Sequence, residues 1–288
     1  MSIVVTAASG HFGRAAVESL LARGADPASV VATSRRPESL ADLAERGVDV
    51  RRADYSDPDS LRTALAGAER VLLVSGDEFG QRVAQHTAVI EAAVAAGASL
   101  VAYTSAPHAD TTSLALAAEH AATEKVLLAA TADEGVDHVL LRNGWYVENY
   151  TGQVDTFLEH GVVGATGEGR VSVALRREYA EAAAAVLLGD GHAGATYELG
   201  GEAVTLAEIA AAVAEATGRE VAHHDVTVSE LEQVLLGAGL PEPAAQTFAD
   251  VDRGIAAGEL QVPTDDLTRL LGRAPLGLRD AVREALGA

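Results

Sequence analysis

Ile3-Val4-Val5-Thr6-Ala7-Ala8-Ser9-Gly10-His11-Phe12-Gly13 reads as a short apolar strand running into a turn of small residues, after which a helical pattern begins. That order gives the two glycines different tasks. Gly10 lets the backbone approach a pyrophosphate, Gly13 lets the next helix pack tightly on the sheet, and the helix N-terminus aims its unbonded N–H groups at the anion. The alternative is a glycine turn of purely structural purpose, since a glycine motif alone is weak.

Outward from this loop, Val30 to Ser34, Val48 to Ala53, Val71 to Ser75, Leu100 to Thr104 and Val139 to Leu141 are predicted as further strands, with helical patterns between them. Gly24, Gly47, Gly67, Gly97 and Gly135 each fall shortly before one of those strands, where a helix end needs a left-handed residue. Continuous apolar strands separated by helices need cover on both faces, so the fold class is α/β, a doubly wound parallel sheet. Beyond about Trp145 the alternation weakens, although capping boxes at Thr205 with Glu208 and Ser229 with Glu232 mark helix starts. For 288 residues, the expected division is a dinucleotide-binding Rossmann domain over 1–145 and a smaller mixed α/β, substrate-side domain over 146–288, with interleaving allowed.

The second strand ends at Ser34-Arg35-Arg36, roughly the 20 residues past the loop at which NAD enzymes place an acid on the ribose hydroxyl. No acid stands there, and Glu38 lies beyond Pro37. The position offers guanidinium to a 2′-phosphate and no carboxylate to repel it, which predicts NADPH in preference to NADH; a solvated basic turn is the alternative. Ser75-Gly76 and Asp54-Tyr55 end other strands, at the sheet edge where open α/β folds bind ligands. Asp57 before Pro58 has the form of a helix cap.

Composition narrows the partners. Lys and Arg total 21 against 42 for Asp and Glu, and a net charge of −21 repels nucleic acid and anionic membrane surfaces. No apolar window reaches the roughly 18 residues of a membrane helix and no leader pattern opens the chain, so a cytoplasmic protein is expected. The absence of cysteine removes disulfides and thiolate chemistry. His108, Asp110, Glu119 and His120 do not match zinc-site spacing, so no metal is expected, and hydrolase elbows and Walker loops are missing. Lys125 is the only lysine, which suggests a site needing a compact ammonium with rotatable donors, or a chance survivor of biased composition.

Taken with Leu141-Arg142-Asn143-Gly144-Trp145-Tyr146-Val147-Glu148-Asn149-Tyr150, the chain resembles the NADPH-dependent quinone oxidoreductase type 2 group of NmrA-like atypical short-chain dehydrogenases. Gly80-Gln81-Arg82, Gln85-His86, Tyr103-Thr104-Ser105, His108-Ala109-Asp110, Glu119-His120, Thr123-Glu124-Lys125, Arg176 and Tyr179 extend the likeness over nearly the whole chain. The resemblance implies NADPH lying between the glycine loop and the Asn143 to Glu148 segment, no flavin or metal, and a small quinone as acceptor. It implies cofactor contacts at Thr6, Ala7, Ser9, Gly10, His11, Phe12, Arg35, Ser75, Gly76, Asn143, Gly144, Trp145, Tyr146 and Glu148. NmrA-like proteins also include non-enzymatic NADP(H) sensors, which is the second reading.

The sequence departs from the family pattern at two places: Ala7 where the loop begins with glycine, a residue that tolerates positive φ poorly, and Glu178 where the family has Asp. Short-chain dehydrogenases commonly carry a catalytic Tyr four residues before a Lys, but Ala121 stands there. Lys125 and Tyr146 are the catalytic candidates that remain, Lys125 as a holder of cofactor ribose or loop carbonyl, or else in a surface pair with Glu124. His120 is expected at the surface.

Overall fold

The computed structural model describes residues 1–132 and 135–288. Its strands are β1 (Ile3–Val5), β2 (Val30–Ser34), β3 (Asp49–Arg52), β4 (Arg70–Leu73), β5 (Leu100–Ser105), β6 (Asp137–Asn143), β7 (Trp145–Tyr146), β8 (Val162–Gly164), β9 (Val171–Ala174), β10 (Thr196–Leu199), β11 (Glu202–Val204) and β12 (His223–Asp225). Seven of them form one sheet in the order β10-β6-β5-β4-β1-β2-β3. Strands β1 to β6 pair in parallel, with Ile3 opposite Val30 on one side and Arg70 on the other. This is the doubly wound arrangement, and its order reverses at β1. Open sheets of this kind bind ligands in the crevice beyond the C-terminal ends of the strands at the reversal, here β1 and β4.

The helices between these strands are α1 (His11–Ala22), α2 (Ala41–Glu45), α3 (Pro58–Ala64), α4 (Arg82–Ala95) and α5 (Ala118–Thr131). Helix-to-strand turns close on Gly24, Gly47, Gly67, Gly97 and Gly135 at φ of 88°, 89°, 77°, 74° and 67°, the left-handed conformation expected of them. Asp57 caps α3 by accepting from Ser60 N, with Pro58 in the first turn. The sheet's apolar core includes Val4, Val31, Val71, Leu73, Val101 and Leu140, with Leu61, Val89, Ile90 and Leu127 from the helices.

The chain separates into two compact units, each built from three segments. The first comprises Met1–Ala106, Glu119–Arg142 and Arg176–Tyr197; the second comprises Pro107–Ala118, Asn143–Leu175 and Glu198–Ala288. The second unit holds a three-stranded sheet, β11-β9-β7, in which β9 runs antiparallel to β11 and parallel to β7. It also holds the parallel pair β12-β8. Helix Leu206–Thr217 begins with the expected Thr205 and Glu208 capping box. The next box is Thr227 with Glu230, not Ser229 with Glu232, because that helix already starts at Val228.

Candidate functional site

The loop after β1 is fixed from both sides. Thr6 N donates to Leu72 O at 3.1 Å and Ala8 N donates to Thr33 O at 2.7 Å, tying it to β4 and β2. Gly10 N closes a turn onto Ala7 O at 3.0 Å, and α1 follows at once. Ala7 lies at φ 48°, so the left-handed loop start is adopted without the glycine that suits it. A Cβ on Gly13 would stand 2.5 Å from Ala7 O and 2.9 Å from Ala8 Cα, which is why the helix reaches the loop only through glycine.

In the first unit this loop borders a cavity of about 380 Å³. Ala7, Ser9, Gly10, His11, Phe12, Arg35, Ser75 and Gly76, eight of the nine first-half cofactor candidates, line it together. Thr6 does not: it is fully buried, and its hydroxyl donates to Leu72 O, accepts from Val74 N and meets Tyr55 Oη. Its work is to hold the strand ends. Tyr55 also lines the cavity with its hydroxyl committed, donating to Val74 O at 2.8 Å, and burial raises its pKa. Asp54, Gly13 and Arg176 join the lining.

Asp77, Glu78 and Gln85 also line the cavity and were not foreseen. Glu78 corrects the expectation that no carboxylate stands beside Arg35. Its Oε1 accepts from Arg35 Nη1 at 3.0 Å and its Oε2 from Gln85 Nε2 at 2.8 Å. The acid arrives on the loop after β4, far along the chain from Arg35, where a search of the second strand's end could not find it.

The loop carrying Glu78 is pinned by buried polar groups. Gly76 N donates to His86 Nε2 at 3.0 Å, so that nitrogen bears no proton and Nδ1 must donate, to Thr123 Oγ1 at 3.0 Å. Burial and then the nearby Arg82 guanidinium lower the His86 pKa to about 3, consistent with a neutral ring. Arg82 Nε donates to Gly76 O at 2.8 Å, and Gly80 N donates to Glu119 Oε1 at 3.0 Å.

Helix α5 turns a mostly polar stripe inward: His120, Thr123, Glu124, Leu127 and Thr131 are buried. His120 is thus a core residue and not a surface one. Its Nδ1 lies 2.8 Å from Tyr103 Oη, and burial, followed by Arg82 and His86, lowers its pKa to about 3. Glu124 takes both Nε and Nη2 of buried Arg142, at 2.9 and 2.6 Å, plus the Ser105 hydroxyl at 2.6 Å. Glu124 therefore does not serve Lys125. Lys125 is exposed, off that stripe, and does not line the cavity.

The remaining candidates belong to the second unit. Asn143 is buried, and neither its amide nitrogen nor its amide oxygen has a hydrogen-bond partner among the described residues. Gly144 N donates to Leu199 O at 2.7 Å, and Trp145 and Tyr146 form β7, half-buried against β9. Glu148 opens the short helix Glu148–Thr151, and Glu178, of the first unit, is fully buried in helix Arg176–Leu188. Among the described residues no group of three or more His, Cys, Asp or Glu is placed to hold a metal ion, and no helix is long and apolar enough to cross a membrane.

A family model described as NAD(P)H-binding matches residues 7–188. The sequence is 42% identical over 282 residues to quinone oxidoreductase 2 of Escherichia coli (strain K12), covering 97% of each chain. The crystal structure of an NADPH-dependent quinone oxidoreductase from Escherichia coli complexed with NADPH matches at TM-score 0.92 over 99% of both chains, with 42% identity. The triphenylmethane reductase of Citrobacter sp., complexed with NADP(H), matches at TM-score 0.90 and 35% identity over 99% of this chain and 100% of that one. The chain belongs to the NAD(P)H-binding family, within the NmrA-like group of type 2 NADPH-dependent quinone oxidoreductases.

Proposed function

We propose that this protein is an NADPH-dependent oxidoreductase that reduces a small quinone to its hydroquinone by two-electron hydride transfer. The observation that carries the reading is the cavity at the C-terminal ends of β1 and β4, where a phosphate-type loop, a helix N-terminus and Arg35 meet. The end-to-end likeness to a quinone oxidoreductase supports the acceptor. NADPH, when bound, supplies the hydride.

Each residue has a task its chemistry suits. With NADPH bound, Gly10 and the first turn of α1 would hold the pyrophosphate, Arg35 the 2′-phosphate, and Ser75 and Gly76 the ribose side of the cavity that they line. Asn143, buried with its amide unpaired, has two donors and an acceptor for a carboxamide or ribose, and so fits a nicotinamide cofactor. Gly144 and Glu148 flank Trp145 and Tyr146, whose flat rings suit the acceptor. Lys125 has no part.

The acceptor class follows from proton supply. Reducing a simple ketone leaves a strongly basic alkoxide, so a positioned acid matters. Ala121 occupies the place of the usual phenol, Tyr103 is buried and bonded to His120, and Tyr55 donates to Val74 O, so Tyr146 is the one catalytic phenol candidate left. A quinone yields a phenol-like anion with pKa on the order of 10, which water can protonate later. The test is NADPH oxidation with matched quinone and ketone panels. Quinones are expected to be favoured in kcat/KM by at least about a hundredfold. Comparable efficiencies would overturn the quinone assignment, and tight NADPH binding with no turnover would overturn the enzymatic one.

A further inference from the structure

The functional reading gives Arg35 to the 2′-phosphate, yet in this structure its guanidinium already holds an anion. Glu78 Oε1 lies 3.0 Å from Arg35 Nη1, and both residues line the same cavity as the glycine loop. The carboxylate is not a casual surface partner. Gln85 Nε2 donates to its second oxygen at 2.8 Å and also to Ser56 Oγ at 3.2 Å, which fixes the amide that fixes the acid.

The backbone on either side of Glu78 is also held. Gly76 is clamped through its N–H by His86 at 3.0 Å and through its carbonyl by Arg82 Nε at 2.8 Å. Gly80 N is held by Glu119 at 3.0 Å, and the Arg82 guanidinium lies 4.8 Å over the Phe79 ring. Glu78 therefore sits midway along a short loop fastened at both ends, with its carboxylate directed at Arg35. Such fastening leaves it little freedom to withdraw when a ligand arrives.

We infer that Glu78 is a specificity-determining residue of the cofactor site, a resident carboxylate that occupies Arg35 and limits the preference for a 2′-phosphorylated dinucleotide over an unphosphorylated one. This rests on the functional reading above and adds to it. A 2′-phosphate must either displace Glu78 from Arg35 Nη1 or take the guanidinium's other donors, and in both cases it stands beside a carboxylate of like charge. A free ribose 2′-hydroxyl meets the opposite situation, because a carboxylate beside the end of the second strand, although it comes from the loop after β4, can accept a hydrogen bond from it. Glu78 thus works against NADPH and in favour of NADH while Arg35 works the other way. The pair sets a moderate selectivity where Arg35 alone would set a steep one.

Glu78→Gln keeps an oxygen to accept from Gln85 and removes the charge. Since Arg35 and Glu78 are 66% and 45% exposed, the pair is partly screened, and each effect should be that of an exposed ion pair. NADPH should bind about two- to fivefold more tightly and NADH about two- to fivefold more weakly, so the preference widens by at least about fourfold. Calorimetric titration of both cofactors into wild type and Glu78→Gln reads this directly. A thermal melt confirms that both proteins are folded, and Glu78→Ala provides a second variant lacking the charge. Repeating the titrations at tenfold higher salt should shrink the difference for NADPH. An unchanged preference in both variants, or weaker NADPH binding in them, would overturn the inference while leaving the functional reading intact. Wild-type protein that binds neither cofactor would overturn the functional reading itself.

Discussion

Replacing Gly13 with alanine sets two effects of opposite sign against each other. In an open helix the change is favourable, by about 1 kcal/mol at most. Here the new methyl would stand 2.5 Å from Ala7 O and 2.9 Å from both Ala7 C and Ala8 Cα. All three are backbone atoms, well inside the roughly 3.5 Å of ordinary contact, so no side-chain rotation relieves them. Overpacking of this kind costs about 1 to 3 kcal/mol. Gly13→Ala should therefore be destabilised by up to about 2 kcal/mol after its helix propensity is credited. Gly237 supplies the control: it ends helix Val228–Gly237, is exposed, and has nothing within 4 Å of an added Cβ. Urea denaturation should separate the two variants by roughly 1 to 3 kcal/mol, with Gly237→Ala neutral or more stable. Because the displaced loop faces the cavity, Gly13→Ala should also lose about tenfold or more in NADPH affinity, the equivalent of one or two hydrogen bonds. A Gly13→Ala protein as stable as Gly237→Ala, with wild-type affinity, would refute the close-approach argument.

At Ala7, φ 48° is a conformation that costs an L-residue roughly 1 to 2 kcal/mol. Ala7→Gly returns about 0.4 to 1 kcal/mol of that through the unfolded chain, so chemical denaturation should show a net gain of about 0.5 to 1 kcal/mol, and a loss would contradict the strain. Lys125→Ala should leave kcat/KM for NADPH and quinone unchanged and stability within about 0.5 kcal/mol, whereas a tenfold kinetic loss would restore the lysine to the site. His86 and His120 have pKa values lowered to about 3 from an ordinary 6.5, so between those pH values the unfolded chain binds more protons than the native one. Their contribution is fully present above about pH 6.5 and is lost as pH falls toward 3, and His120→Gln should flatten the fall in urea midpoint between pH 6.5 and 4; an unchanged slope would exclude it.

Features that rest on local backbone chemistry were legible in the sequence. Gly24, Gly47, Gly67, Gly97 and Gly135 adopt the left-handed turns expected of them, because that conformation selects for glycine within a few residues of chain. The glycine loop and Arg35 each directly follow a strand, and they line one cavity because β1 and β2 pair side by side in parallel, as the alternation of strands and helices implies. Contributions from distant segments were not legible. Glu78, on the loop after β4, reaches Arg35, at the end of β2, across the one intervening strand β1, and nothing near either residue announces the pairing. His120 was misread because the buried stripe of α5 is mostly polar while Leu128 is exposed, the reverse of the usual amphipathic pattern. Each buried polar group there has a partner on the sheet or on a neighbouring helix: Tyr103 for His120, His86 for Thr123, Arg142 for Glu124 and His138 for Thr131. A reading by hydrophobicity alone cannot see such pairings.

The segmental make-up of the first unit also orders events during synthesis. When the ribosome has made residue 143, six strands of the seven-stranded sheet exist, but helix Arg176–Leu188, which packs against α1, and the edge strand β10 do not. At about 5 to 20 residues per second, tens of residues of the other unit must pass before that cover is made. During those seconds the nascent sheet carries an exposed apolar side and an open edge, the surfaces that chaperones bind. Moving Arg176–Leu188 ahead of β1 by circular permutation would remove that interval, and the yield of folded protein in cells short of chaperones should rise accordingly.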